Sequence, residues 1–310
     1  MNDLELKNPL TGGKVIAVNA DIQSYLESGR GERGKADFVM SSHQIPLFDS
    51  CPSRWLRNYD PKPENTDALK WGSLIDCMLT QPLSFPDRYV FRPETYPAKD
   101  GEKPWHNGAT YCKEWNAKHE GQTILSRDEH AEAEQAVARL SKDPHVSEIL
   151  LNSDRQVWIT AEYQDEETGV TVPVKGLIDL VPFPDKPFYG KCLVDLKTAT
   201  SAAPRKWQRT VFERNYHIQA ALYLDAYRAA TDSDRTDFIH IVQENIAPYE
   251  PGRRLLSAEF IQLGRDQYVS GLRRYAKCLK TGIWPGYDEG ERTIQGWTLT
   301  EPESWMVSAL

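Results

Sequence analysis

The chain is poor in cysteine, in long apolar runs and in net positive charge, and each shortage excludes something. Five cysteines, at 51, 77, 112, 192 and 278, stand far apart with no C-x-x-C pair. That spacing excludes a zinc ribbon and a disulfide framework, and the five read as small buried hydrophobes. The histidines show no ligand spacing, so His106, His119 and His130 read as surface or packing residues. Purely apolar runs are only a few residues long, too short to span a bilayer. The N-terminus carries Asp3 and Glu5 and no apolar stretch, unlike a secretory signal. The expectation is a cytoplasmic protein with no membrane contact. No internal repeat of useful period is present.

Lysine and arginine (37) are outnumbered by aspartate and glutamate (45), for a net charge of −8. Overall acidity weakens long-range attraction to nucleic acid but permits a local basic track. Two segments are basic. Residues 186–214 hold seven Lys or Arg against Asp195 and Glu213, a net of +5. Residues 253–280 hold seven against Glu259 and Asp266, again +5; here a solvated helix face is the favoured reading. The Gly29-x-Gly31-x-x-Gly34 run lacks a strong strand before it and a clear helix after it, which argues against a nucleotide-binding loop.

The most informative stretch is Val174-Lys175-Gly176-Leu177-Ile178-Asp179-Leu180-Val181 followed by Cys192-Leu193-Val194-Asp195-Leu196-Lys197. Both runs are apolar and β-branched, as strands are. Pro182, Pro184, Asp185, Lys186 and Pro187 between them favour a turn, so the pair reads as a hairpin. Side chains alternate faces along a strand, so Asp195 and Lys197 share one face while Leu196 points to the core. Two carboxylates and an ammonium on one face are costly to bury. They suit a hard divalent ion such as Mg²⁺ or Mn²⁺, with Lys197 orienting a water or stabilising developing charge and the Leu196 carbonyl as an extra ligand. Taken alone, an Asp195–Lys197 surface salt bridge explains the same residues. Downstream, Tyr216 to Tyr227 is Ala- and Leu-rich and reads as a helix. Gln219 and Tyr223, four apart, share a face and could reach the same phosphate or water; an amphipathic helix with Tyr223 half buried is the plainer account.

Together, Gly176-Leu177-Ile178-Asp179, Asp195-Leu196-Lys197 and Gln219-x-x-x-Tyr223 resemble the PD-(D/E)xK nuclease core with its Q-x-x-x-Y helix. Within that superfamily the chain is most similar to RecE-type exonucleases (exonuclease VIII) and their phage relatives. Met40 to Gln44 with Cys51-Pro52-Ser53-Arg54-Trp55 resembles the family's opening element, Trp71-Gly72-Ser73-Leu74-Ile75-Asp76 its G-x-x-x-H helix, Thr198-Ala199 and Pro204-x-x-Trp207 the segment after the lysine, and Trp284-Pro285-Gly286-Tyr287 a motif near its C-terminus. Where the family carries a metal-ligating histidine, this chain has Asp76, itself an acceptable hard-metal ligand. RecB-like and CRISPR-adaptation nucleases often hold an iron–sulfur cluster; with Cys278 the only late cysteine, that ligand set cannot be assembled. Glu162 is a weaker further acid, and Asp165, Glu166 and Glu167 read as a solvated turn.

The resemblance implies an α/β (α+β layered) fold, a mixed central β-sheet flanked by helices around a restriction-endonuclease-like core. It implies a Mg²⁺-dependent 5′→3′ exodeoxyribonuclease, with Mn²⁺ able to substitute, that leaves 3′ single-stranded tails on double-stranded DNA for recombination. Its catalytic residues are Asp179, Asp195, Lys197, Gln219 and Tyr223, and its metal ligands Asp76, Asp179, Asp195 and the Leu196 carbonyl. Arg205, Lys206 and Arg209 are the expected backbone contacts. The implied partners are DNA ends, further copies of the chain in a homo-oligomeric ring, and a single-strand annealing protein. An endonuclease of the same core and a non-catalytic DNA-end binding protein are the alternatives. Residues 1–40 are expected to form a partly mobile arm and 41–310 a single nuclease domain. Within it, helices are expected over 41–82 (punctuated by Pro61 and Pro63), 126–140, 215–230 and 257–281, and strands near 155–164, 170–182, 189–197 and 238–243. Residues 86–125 read as irregular and aromatic, and Trp284, Trp297 and Trp305 as folding back on the core.

Overall fold

The computed structural model describes residues 8–29, 31–58, 67–288 and 293–302. Its centre is a seven-stranded mixed sheet: β1 (Leu10–Ala17), β2 (Met40–Ser41), β3 (Ser153–Gln164), β4 (Thr171–Pro182), β5 (Cys192–Ala199), β6 (Asp237–Glu244) and β7 (Pro251–Leu255). The order is β1-β3-β4-β5-β6-β7, with β2 pairing alongside β4. The pairs β5–β6 and β2–β4 are parallel and the rest antiparallel. The helices that matter here are α1 (Gln44–Ser50), α2 (Asp67–Thr80), α3 (Arg127–Ser141), α4 (Pro144–Leu151), α5 (Pro204–Glu213), α6 (Tyr216–Thr231) and α7 (Ala258–Thr281). A parallel pair needs a long crossover, which α5 and α6 supply between β5 and β6.

Strand β4 is buried almost throughout, from Val172 to Val181, which its run of Val, Ile and Leu anticipates for a strand covered on both faces. On one face, Ile178, Leu193 and Phe238 pack with Leu222 of α6 and Tyr268 and Leu272 of α7. On the other, Leu180, Val194 and Ile241 pack with Leu74 of α2, Leu140 of α3 and Ile149 of α4. Helix α3 opens on the capping box legible in Ser126-Arg127-Asp128-Glu129: the Glu129 amide donates to Ser126 Oγ at 3.1 Å and the Ser126 amide to Glu129 Oε2 at 2.6 Å. Helix α7 starts at Ser257 and stops at Gly282, which takes the left-handed conformation at φ +70°.

Several expectations change. Residues 10–17, assigned to an arm, form edge strand β1, paired with β3. Residues 86–125 contain ordered elements: two small two-stranded sheets and a helix at Thr110–Lys118. Trp284 joins the core against Trp55, Phe48 and Tyr275, but Trp297 is 81% exposed. Trp305, Pro61 and Pro63 lie outside the described residues. Asp165 is buried, accepting from the Thr168 amide and hydroxyl at 2.9 and 2.6 Å, so that turn is not wholly solvated. On α7, Arg273, Lys277 and Lys280 are exposed, as a solvated face requires; Arg273 and Arg274 also approach Asp165 and Asp49 at 4.0 and 3.1 Å, and Arg265 alone among the arginines of this helix turns inward, to Asp225. All five cysteines are buried and unpaired.

A buried polar brace joins α6 to α7. Asp225 accepts from Arg265 Nε at 2.7 Å and Nη2 at 2.9 Å, and from the Tyr268 hydroxyl at 2.6 Å. The helices approach closely at Gly264, where an added Cβ would lie 2.0 Å from the His217 carbonyl oxygen. Removing one partner of a buried charge pair costs about 3–5 kcal/mol because the other is left uncompensated. Asp225→Ala is therefore expected to lower unfolding free energy by roughly that amount, read by urea denaturation. Nearby, His240 is fully buried among the rings of Trp207, Tyr216 and Phe238. Burial, and secondarily the Lys197 charge, hold its imidazole well below the usual pKa. The folded state thus keeps His240 neutral while the unfolded chain protonates it near about pH 6.5. Stability is full above that pH and falls as pH drops below it, by up to about 1.4 kcal/mol per pH unit. His240→Phe is expected to remove this slope in denaturation curves taken across that range.

Candidate nuclease active site

Strands β4 and β5 pair at a single register position, Leu180 with Val194. Arg235 ties their far ends, donating to the carbonyls of Pro182 and Cys192. On the other side of the Leu180–Val194 bridge the strands part, and the Asp179 carboxylate enters the gap. Its Oδ2 accepts the Leu196 amide at 2.7 Å, supplying the partner that the interrupted ladder does not. In an extended strand a residue's N–H and C=O lie on the same edge, so the Leu196 carbonyl faces this gap too.

Alternation along β5 places its side chains as the sequence implies. Leu196 packs into the cluster with α2 and α3. Asp195 and Lys197 face α6, and their side chains form an ion pair. Asp195 is 1% exposed, and its Oδ1 accepts Gln219 Nε2 at 3.0 Å. The Lys197 ammonium also lies 4.8 Å from the Tyr216 ring centre. The pair is therefore not a surface salt bridge. Asp76, on α2, lines the same cavity of about 1100 Å³ as Asp179, Asp195, Leu196, Lys197 and Gln219.

The electrostatics are those of crowded acids. Burial, then the charges of Asp195 and Asp76, push the Asp179 carboxyl well above its ordinary pKa. Burial chiefly raises Asp76. At Lys197 burial works downward, but the carboxylates of Asp195 and Asp179 outweigh it and hold the ammonium above its usual range. Three carboxyl groups thus surround one buried ammonium, with the Arg88 charge acting on Asp76 as well, and their oxygens are donors that suit a hard divalent ion. Those donors are Asp179, Asp195 and the Leu196 carbonyl, with Asp76 on the same cavity. Among the described residues no three His, Cys, Asp or Glu side chains are gathered closely enough to form a cage by themselves. Asp76 is already engaged: its Oδ1 accepts from Thr80 Oγ1 at 3.2 Å and Gln156 Nε2 at 3.3 Å.

Gln156 is a residue that sequence reasoning missed. It is 1% exposed, has φ +45°, and falls between the paired positions Arg155–Leu180 and Val157–Ile178 of β3 and β4. Backbone strain of this kind gathers at functional sites. Its sequence context gave no signal, because Gln156 follows Ser153-Asp154-Arg155 and reads as the polar start of a strand. Tyr223 packs on Gly176, where an added Cβ would sit 2.7 Å from the ring. Burial raises the phenol's pKa, with Asp195 adding to it. Tyr223 lines not the cavity of Asp179 and Asp195 but a neighbouring cleft of about 1210 Å³, shared with Gln219, Gly29, Gly31, Gly34, Arg33 and Lys35. Of the expected basic contacts, Lys206 and Arg209 line the cavity of Asp179 and Asp195, joined by Arg214. Arg205 lies instead in an adjacent cleft with Arg209, Phe212 and Phe260. Glu162 stands against Gly12 near β1, outside the cavity lining.

No protein of curated description matches the sequence. Among solved structures, one from Eubacterium rectale described as a "putative exonuclease" shares the fold, with a TM-score of 0.53 and 18% identity over 91% of this chain and 96% of that one. Residues 41–294 match the family described as a PDDEXK-like domain of unknown function (DUF3799), a span that holds Asp76, Gln156, Asp179, Asp195, Lys197, Gln219 and Tyr223. The chain belongs to this PDDEXK-like family.

Proposed function

We propose that the protein is a Mg²⁺-dependent exodeoxyribonuclease, with Mn²⁺ able to replace Mg²⁺, that degrades one strand of linear double-stranded DNA 5′→3′ and leaves 3′ single-stranded tails for recombination. The observation that carries this reading is the convergence of Asp179, Asp195, Lys197 and Gln219 on one cavity whose rim holds Lys206, Arg209 and Arg214. PDDEXK nucleases generally use divalent metal ions. The bound ion would supply charge neutralisation at the phosphodiester and acidify a water. Asp179, Asp195 and the Leu196 carbonyl would hold it, with Asp76 contributing from α2. Lys197 holds a charged ammonium where the attacking water and the developing phosphate charge need a donor. Gln219 fixes the Asp195 carboxylate, and Tyr223 braces the Gly176 backbone that leads to Asp179. Lys206 and Arg209 bind flanking phosphates, which position the strand without reading its sequence; Arg205 is placed for a more distant phosphate. The similarity to RecE-type enzymes supports assembly into a homo-oligomeric ring around the duplex and cooperation with a single-strand annealing protein. A non-catalytic DNA-end binding protein is the second reading, favoured by the engagement of Asp76 with Gln156 and Thr80.

Linear duplexes labelled at either end, incubated with Mg²⁺, Mn²⁺ or EDTA, test both readings. Degradation from the 5′ end, dependent on either metal and sparing covalently closed circles, is expected; cutting of circles would show an endonuclease. Lys197→Ala and Asp195→Asn are expected to lower the single-turnover rate by about a thousandfold while DNA binding in gel shifts changes little. A wild type as inert as Lys197→Ala that still binds DNA ends would establish the binding reading instead. Asp76→Ala is expected to raise the Mg²⁺ concentration needed for half-maximal rate, because it removes one oxygen donor.

A further inference from the structure

The catalytic cavity has a second wall that the hydrolytic residues do not use. Gln243, the penultimate residue of β6, is 1% exposed. Its amide nitrogen donates to the carbonyls of Tyr249 at 2.7 Å and Glu244 at 3.1 Å. Those two acceptors fix which end of the amide is nitrogen, an assignment otherwise open to inversion. Its Oε1 is buried and accepts no hydrogen bond within the protein, and the same holds for Asn245 Oδ1 two residues on. Both side chains line the catalytic cavity with Thr198 and Ser201. An acceptor left unsatisfied in a buried site costs about 1–3 kcal/mol, so this wall calls for a donor from outside the chain. Its place is set by register: Val242 stands beside Lys197 and Gln243 beside Thr198, one step along the sheet from the proposed hydrolytic centre.

We propose that Gln243 and Asn245 form a nucleobase subsite that takes an unpaired base through its exocyclic amino group and disfavours thymine. The proposal rests on the reading of this cavity as a DNA site. A strand whose scissile phosphate lies at Asp179 and Asp195, and whose neighbouring phosphates meet Lys206 and Arg209, brings an adjacent base within reach of this wall. The cavity, at about 1100 Å³, has room for a nucleotide. The two buried acceptors, Gln243 Oε1 and Asn245 Oδ1, match the amino groups of cytosine, adenine and guanine; thymine presents the O4 carbonyl and a methyl group in the corresponding place and leaves both acceptors without a donor. Watson–Crick pairing occupies one of the two amino hydrogens, so a base that satisfies both acceptors is one already separated from its partner strand. Selectivity follows from the acceptors' burial, because a base without the amino group leaves them unpaired.

The test is binding by the full chain, followed by fluorescence anisotropy in Ca²⁺, of labelled deoxycytidine and thymidine dodecamers and of a dodecamer of 2-pyrimidinone deoxynucleotide, a cytosine lacking its amino group. The cytidine strand is expected to bind about tenfold more tightly than either of the others. Gln243→Met is expected to cut that ratio to below about twofold, and Asn245→Ser to reduce it in the same direction, with thermal melting confirming that each variant folds. Equal affinities in the wild type, no measurable binding of any strand, or a ratio unchanged in both variants would overturn the subsite; the last would mean that the acceptors hold only a structural water. Binding is read without turnover. A chain that prefers cytidine but fails to cut DNA thus keeps this inference and loses the nuclease reading, and a chain that cuts without base preference does the reverse.

Discussion

The parting of β4 and β5 beyond Leu180 and Val194 is the constraint from which the candidate site follows. A continuous ladder would consume the Leu196 N–H and C=O and leave no room for a side chain between the strands. With the ladder interrupted, the Asp179 carboxylate takes the Leu196 N–H and the carbonyl faces the same gap. Arg235 holds the opposite ends of the two strands together, so the opening is confined to one end of the sheet. The covered faces of the sheet keep that opening from closing by sliding. A one-residue shift of β5 would carry Leu196 out of its apolar cluster and turn Asp195 into it.

The charge layout removes the apparent conflict between an acidic chain and the nucleic-acid substrate proposed for it. Net charge governs distant encounter, whereas a phosphate in a cleft responds to the groups around it. Here the acids that matter are inside and crowded, which raises the carboxyl of Asp179 and holds Lys197 protonated. The cations that matter sit on α5 at the cavity's rim. Other basic residues serve elsewhere: Arg265 is spent on buried Asp225, while Arg273 and Arg274 meet Asp165 and Asp49 from the surface of α7. A count of charge along the sequence cannot separate these two uses.

Helix α6 links packing to chemistry. Its Gln219 reaches Asp195, its Tyr223 lies on Gly176, and its Asp225 is anchored by Arg265 and Tyr268 of α7. Gly264 permits the backbone contact that sets the spacing of the two helices. The buried brace therefore positions the residue that orients the acid, although it lies outside the cavity.

The strands bearing Asp179, Asp195 and Lys197 and the helix bearing Gln219 were legible because their signals are local: β-branched alternation, proline in the connection, and a spacing of four on a helix. The sequence by itself also determined that the cysteines would be neither metal cage nor disulfide framework and that α3 would begin at Ser126. Edge strand β1 was not legible, because residues 10–17 are half glycine and polar and become a strand only by pairing with β3. Tertiary structure alone decided that Gln156, at a positive φ within β3, would hold Asp76, that Tyr223 would line the neighbouring cleft, that Arg205 would stand apart from Lys206 and Arg209, and that Gln243 and Asn245 would share the cavity. Each of these depends on which surfaces meet across long stretches of chain, and propensity and periodicity, acting over a few residues, carry no information about such meetings.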